Sequence, residues 1–136
     1  MKLILCIDKN YGIAFNHRRQ SRDKVLIEDV LSLTRDSTLF VSNYSAPLFP
    51  TDAEIIIDDG YLSLAKGEDY CFLENQTVDT IVTLADEIIL YNWNRKYPAD
   101  TYFDSGALVD FRKKQTSHFI GNSHEKITRE VFVRKK

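Results

Sequence analysis

The chain has 136 residues, 43% hydrophobic and 28% charged, enough to bury a core unaided and too apolar for a disordered chain. Its formal net charge of −2 excludes a global attraction to nucleic acid or anionic membrane, so any such binding needs a local basic patch. No run approaches the length of a membrane span and no signal peptide precedes the first apolar run, so a single cytoplasmic domain over residues 1–136 is expected.

"KLILCI" at the N-terminus reads as a strand buried on both faces of a sheet. "DKNYGIAFNHRRQS" follows as a long polar loop turning at Gly12. Apolar residues then recur at helical spacing from Arg22 to Thr34, with Ser21 as N-cap and Asp23 as a first-turn acid. "TLFVS" and "AEIIID" are further strands, "DDGYLSLAKG" a short helix closed by Gly67, "DYCFLE" the fourth strand and "QTVDTIVTLA" another short helix. "DEIILYNWN" is the fifth strand, at whose exit Tyr91 and Trp93 are expected on opposite faces. "SHFIGNSHEKITREVFVRKK" closes the chain as two strands around a Gly-Asn-Ser-His turn. The plan is α/β: a central, mostly parallel sheet with flanking helices and a C-terminal antiparallel hairpin.

The residues suggest few sites. Asp23, on a helix start beside a cleft, has the chemistry to hold an amidine-like edge or relay a proton; the plainer role is a carboxylate favoured by the helix dipole. Arg18, Arg19 and Arg22 surround that helix N-terminus, whose free N–H groups would favour a phosphate, RNA or another polyanion. The plainer alternatives are a solvated loop, or one arginine folded back onto Glu28, Asp100 or Asp104. Tyr91 and Trp93 offer stacking faces, or simply core packing. His17, His118 and His124 lack metal-ligand spacing, so no metal is expected. No Gly-x-Ser-x-Gly elbow occurs, and neither Cys6 nor Cys71 has a neighbouring histidine, so nucleophilic hydrolysis has no support in the sequence. Both cysteines read as buried free thiols.

One stretch, "LADEIILYNWNRKYPADTYF", resembles dihydrofolate reductase: a helix ending in Leu84-Ala85, an apolar strand, a polar loop, then Asp100-Thr101-Tyr102-Phe103, with Ala99 for the usual glycine. Asp8, Gly12 and Asn16 resemble that family's first strand and active-site loop. Asp23 matches its catalytic carboxylate, "TLFVSNYS" the strand before the cofactor-phosphate turn, and "REVFVRK" the closing hairpin. The resemblance implies this fold for the whole chain. Its departures imply a change of function. The glycines that admit the cofactor's pyrophosphate are matched by Leu73, Glu74 and Asn75, and the phosphate turn reads Ser42-Asn43-Tyr44-Ser45, without its glycine or its basic residue. "FNHRRQSRD" also resembles small bacterial proteins named ribonuclease Z, but the His-x-His-x-Asp-His cluster that such zinc chemistry needs is missing.

The resulting expectation is a divergent dihydrofolate reductase-like protein without NADPH-dependent activity and with no resident cofactor. It binds a nucleotide-like heterocycle or an anion near Asp23, through Asn16, Arg18, Arg19, Arg22, Tyr91 and Trp93. The alternatives are an active enzyme, either a divergent pterin reductase or a nucleotide- or RNA-processing ribonuclease-type activity, and a partner-binding protein using the Arg18–Arg22 loop.

Overall fold

The computed structural model describes residues 1–136. β1 (Lys2–Ile7) leads into a hairpin of β2 (Gly12–Phe15) and β3 (Arg18–Arg19), then α1 (Lys24–Leu33) and β4 (Leu39–Val41). Next come β5 (Ile56–Ile57), the single turn α2 (Tyr61–Leu64), β6 (Tyr70–Leu73) and β7 (Glu87–Asn92). β8 (Thr101–Tyr102), β9 (Phe111–Phe119) and β10 (Ile127–Arg134) complete the chain. The main sheet has the order β5-β4-β6-β1-β7-β10-β9. Its first five strands run parallel, and β10 and β9 join antiparallel beside β7.

The apolar runs of β1 and β7 serve two cores at once. Leu3, Leu5, Ile7, Ile88 and Leu90 pack on one face, while Ile4, Ile89, Tyr91 and Trp93 pack on the other. Tyr91 and Trp93 therefore share a face, against the expectation of opposite faces; residues two apart on a strand always do. α1 covers that second face through Leu26, Ile27 and Val30. Tyr91 is wholly buried, and its hydroxyl donates at 2.6 Å to Asp29, which also takes Arg129.

Three expectations are corrected. The segment after β1 is a hairpin, not a loop. Asn16 and His17 both have positive φ, 52° and 60°, the turn geometry whose twist suits a two-residue connection. This hairpin pairs with β8 in a small second sheet, which is how the Asp100–Phe103 segment is held. Second, α1 starts one residue after Asp23, so Asp23 and not Ser21 is the N-cap. Third, the helix expected over "QTVDTIVTLA" is a 3-10 turn at Ile81–Leu84. Cys6 and Cys71 are free, and burial pushes the Cys71 thiol up to about 11 and Cys6 well above its ordinary value.

Strand order reverses at β1, which lies between β6 and β7. Ligands of open α/β sheets bind outside the carboxyl ends at such a reversal. Asp8, Glu74 and Trp93 follow β1, β6 and β7 there, and the N-terminus of α1 lines a recess with Glu74 and Trp93.

Candidate functional site around Asp23 and His124

Asp23 has extended backbone and a fully buried side chain. Its Oδ1 accepts from the N–H groups of Val25 at 2.9 Å and Leu26 at 3.3 Å, closing the first turn of α1. The β9–β10 turn closes over the same carboxylate: Asn122 N donates to Oδ1 at 3.1 Å, and Ser123 N and His124 Nδ1 to Oδ2 at 2.9 Å each. Ser123 Oγ donates to Oδ2 at 3.1 Å, and Lys24 N donates to Asn122 Oδ1 at 2.6 Å. A carboxylate offers about four lone-pair sites, and these donors take them all. Burial pushes the Asp23 carboxyl up, but hydrogen bonds from His124, Ser123 and Asn122 outweigh it and hold the group well below the usual carboxylate range.

The turn approaches this closely because residue 121 is glycine; a Cβ there would overlap the Asp23 carboxylate. The α1 N-terminus is thus not the open anion site that its position suggests. Asp23 caps it from within the chain, and no acceptor lone pair remains for an amidine edge.

His124 is the residue the sequence does not single out. Its ring stacks on Trp93, centroids 4.5 Å apart and planes 27° apart, and is buried. Asp23 is ionised and only accepts, so Nδ1 carries a proton, and in the neutral tautomer of the ring Nε2 is the acceptor. Two hydroxyls meet that nitrogen, Tyr97 at 3.0 Å and Ser21 Oγ at 3.1 Å.

Ser21, Arg22 and Lys24 form one wall of a cleft of about 760 Å3 along the start of α1, with Ile27, Leu48, Phe49 and Pro50 as its apolar side. Asn122 and Ser123 close one end. Beneath it, towards Cys6, Phe72 and Trp93, a recess of only about 10 Å3 remains, space for about one water. Only the outer cleft has room for a ring.

The expected arginine cluster is divided. Arg22 is exposed on the cleft. Arg18 and Asn16 are exposed along a separate groove with Phe15, Gln20 and Pro98. Arg19 turns inward: Nε and Nη2 donate at 2.8 and 2.9 Å to the two oxygens of Glu74, and the guanidinium lies 4.4 Å from the centre of the Tyr44 ring. Ser45 Oγ donates to Glu74 at 2.8 Å. Its acid partner is Glu74, not Glu28, Asp100 or Asp104; Asp100 instead accepts from the backbone of Asn16 at 3.1 Å. Tyr91 and Trp93 lie in the core beneath the cleft, not on its surface.

No family model matches the sequence, and no curated protein matches it either. Among solved structures, the chain is similar to the dihydrofolate reductase from Enterococcus faecalis complexed with NADP(H) and RAB-propyl. The TM-score is 0.71 at 12% identity, covering 99% of this chain and 96% of that one. The chain has the dihydrofolate reductase fold, as the strand order and its closing hairpin require.

Proposed function

We propose that this protein binds a nucleotide-like or anionic ligand in the cleft along α1 and does not carry out NADPH-dependent reduction. The anionic group meets Arg22 and Lys24, and the ring lies on Ile27 and Phe49. The observation that carries the reading is the saturation of Asp23 by the β9–β10 turn above a recess with space for about one water. A carboxylate whose lone pairs are all taken has no hydrogen bond to offer a pterin ring. The surroundings of Glu74 support the cofactor half of the proposal. At the positions where the resemblance implies bare backbone against a pyrophosphate, Leu73 and Glu74 carry buried side chains, and Glu74 is locked to Arg19 and Ser45. These residues do not fit a dinucleotide phosphate.

The test follows Trp93 emission, together with absorbance of NADPH in the presence of dihydrofolate. Adenosine monophosphate is expected to bind saturably, with affinity that falls with added salt and falls about tenfold in Arg22→Ala. NADPH is expected to show no oxidation above the protein-free rate. Oxidation of NADPH with turnover overturns the reading, and so does nucleotide binding indifferent to Arg22.

A further inference from the structure

We propose that Ser21, His124 and Asp23 form a nucleophile–base–orienting relay that hydrolyses a carboxylic ester held in this cleft. The inference rests on the cleft reading above for its substrate, and on geometry for its chemistry. Ser21 Oγ lies 3.1 Å from His124 Nε2, and His124 Nδ1 lies 2.9 Å from Asp23 Oδ2. Both distances are in the range that defines a nucleophile bonded to its base and a base bonded to its orienting acid.

The base and its orienting acid are held firmly in place. Asp23 is pinned by the first turn of α1 and by the β9–β10 turn, and His124 is pinned by its stack on Trp93. His124 and Asp23 side chains are 2% and 0% exposed, so the pair is shielded from water while Ser21 lines the cleft. A buried imidazole whose Nε2 meets a serine hydroxyl at the edge of a cavity, with the Tyr97 hydroxyl beside it at 3.0 Å, is more than a helix cap needs. Capping uses Asp23 and its backbone donors alone. The order Ser, Asp, His with serine and histidine 103 positions apart leaves no linear motif, and such relays are defined by geometry and roles rather than sequence order.

The chemistry balances with water as the only co-reactant. Ser21 Oγ bonds to the ester carbonyl carbon as its proton passes to His124 Nε2. The bond from that carbon to the alcohol oxygen breaks, and the alcohol takes the proton from Nε2. Water then attacks the acyl-serine, giving its proton to Nε2; the bond to Ser21 breaks, and Ser21 regains that proton. Asp23 stays ionised throughout and stabilises the transient imidazolium. Asn122 uses its Oδ1 on Lys24 N, which leaves its NH2 to donate to the oxyanion beside Arg22. Arg22 and Lys24, against the one exposed acid of the lining, Glu28, favour an ester whose acid or alcohol part carries a phosphate or carboxylate.

The wild-type protein is incubated with a fluorophosphonate, which loses fluoride as it bonds to an activated serine, and the adduct is located by peptide mass spectrometry. Hydrolysis of p-nitrophenyl acetate is followed in parallel. One adduct per chain on Ser21 is expected, together with a hydrolysis rate that falls at least about 100-fold in Ser21→Ala, with circular dichroism confirming that the variant is folded. Tyr97→Phe is expected to keep the Ser21 adduct. An adduct on Tyr97 or elsewhere, no adduct, or undiminished hydrolysis in Ser21→Ala overturns the relay. If adenosine monophosphate binds and no adduct forms, the relay alone fails; if neither occurs, the cleft reading fails with it.

Discussion

Replacing Asp23 with alanine is expected to lower stability by about 3–5 kcal/mol, because it strands a buried imidazole and several turn and helix N–H groups at once. The helix cap by itself accounts for only about 1 kcal/mol of this. For a chain of this length the melting temperature falls roughly 10–15 °C. Asp23→Asn keeps one acceptor oxygen and loses the charge, so a loss of about 2–4 kcal/mol is expected. The sign of the pH dependence follows from the depressed carboxyl. Its stabilisation is fully present above the ordinary carboxylate range, where the unfolded group is ionised. It is lost as pH falls below that range towards the folded value. Urea midpoints of the wild type are therefore expected to decline on the acid side of that range more steeply than those of Asp23→Asn. Parallel profiles would show that the carboxylate is not the titrating anchor.

Arg19→Ala is expected to cost about 3–5 kcal/mol, since it leaves Glu74 buried without its counter-charge. The larger lesson lies in the double variant. Arg19→Met with Glu74→Leu replaces a desolvated ion pair by apolar side chains, and such replacements are close to neutral. Most of the stability is expected to return, giving a coupling energy of about 2–3 kcal/mol in a double-mutant cycle. Chemical denaturation of the wild type, Arg19→Met, Glu74→Leu and the double variant measures it. A double variant as unstable as Arg19→Ala would show that the cost of losing Arg19 does not come from stranding the Glu74 carboxylate.

How much of this was legible in the sequence depends on distance along the chain. "KLILCI", "DYCFLE" and "DEIILYNWN" are strands because continuous apolar runs suit a sheet covered on both faces, and the spacing of Leu26, Ile27 and Val30 suits the helix that covers one of them. β2, β3 and β8 were not legible. Their strands are only four, two and two residues long, and the positive φ of Asn16 and His17 comes without the glycine that usually marks such a turn. Arg19 and Glu74 are 55 positions apart and Asp23 and His124 are 101 apart, so their pairing follows from strand order alone. Asp23 stood out from its place at a helix start, but the partner that gives it meaning sits in a Gly-Asn-Ser-His turn that reads simply as a turn. Ser21 stood out as a cap, and the helix gave that role to its neighbour two positions on.

The central claim is that Asp23 belongs to the protein's own β9–β10 turn, through His124, and not to a ligand. Proton and nitrogen NMR of the imidazole measures that most directly. The claim predicts one slowly exchanging His124 Nδ1–H resonance, downfield of the amides, that moves upfield or is lost in Asp23→Asn. A His124 ring that exchanges its Nδ1 proton as fast as His17, or that keeps the same resonance in Asp23→Asn, contradicts it.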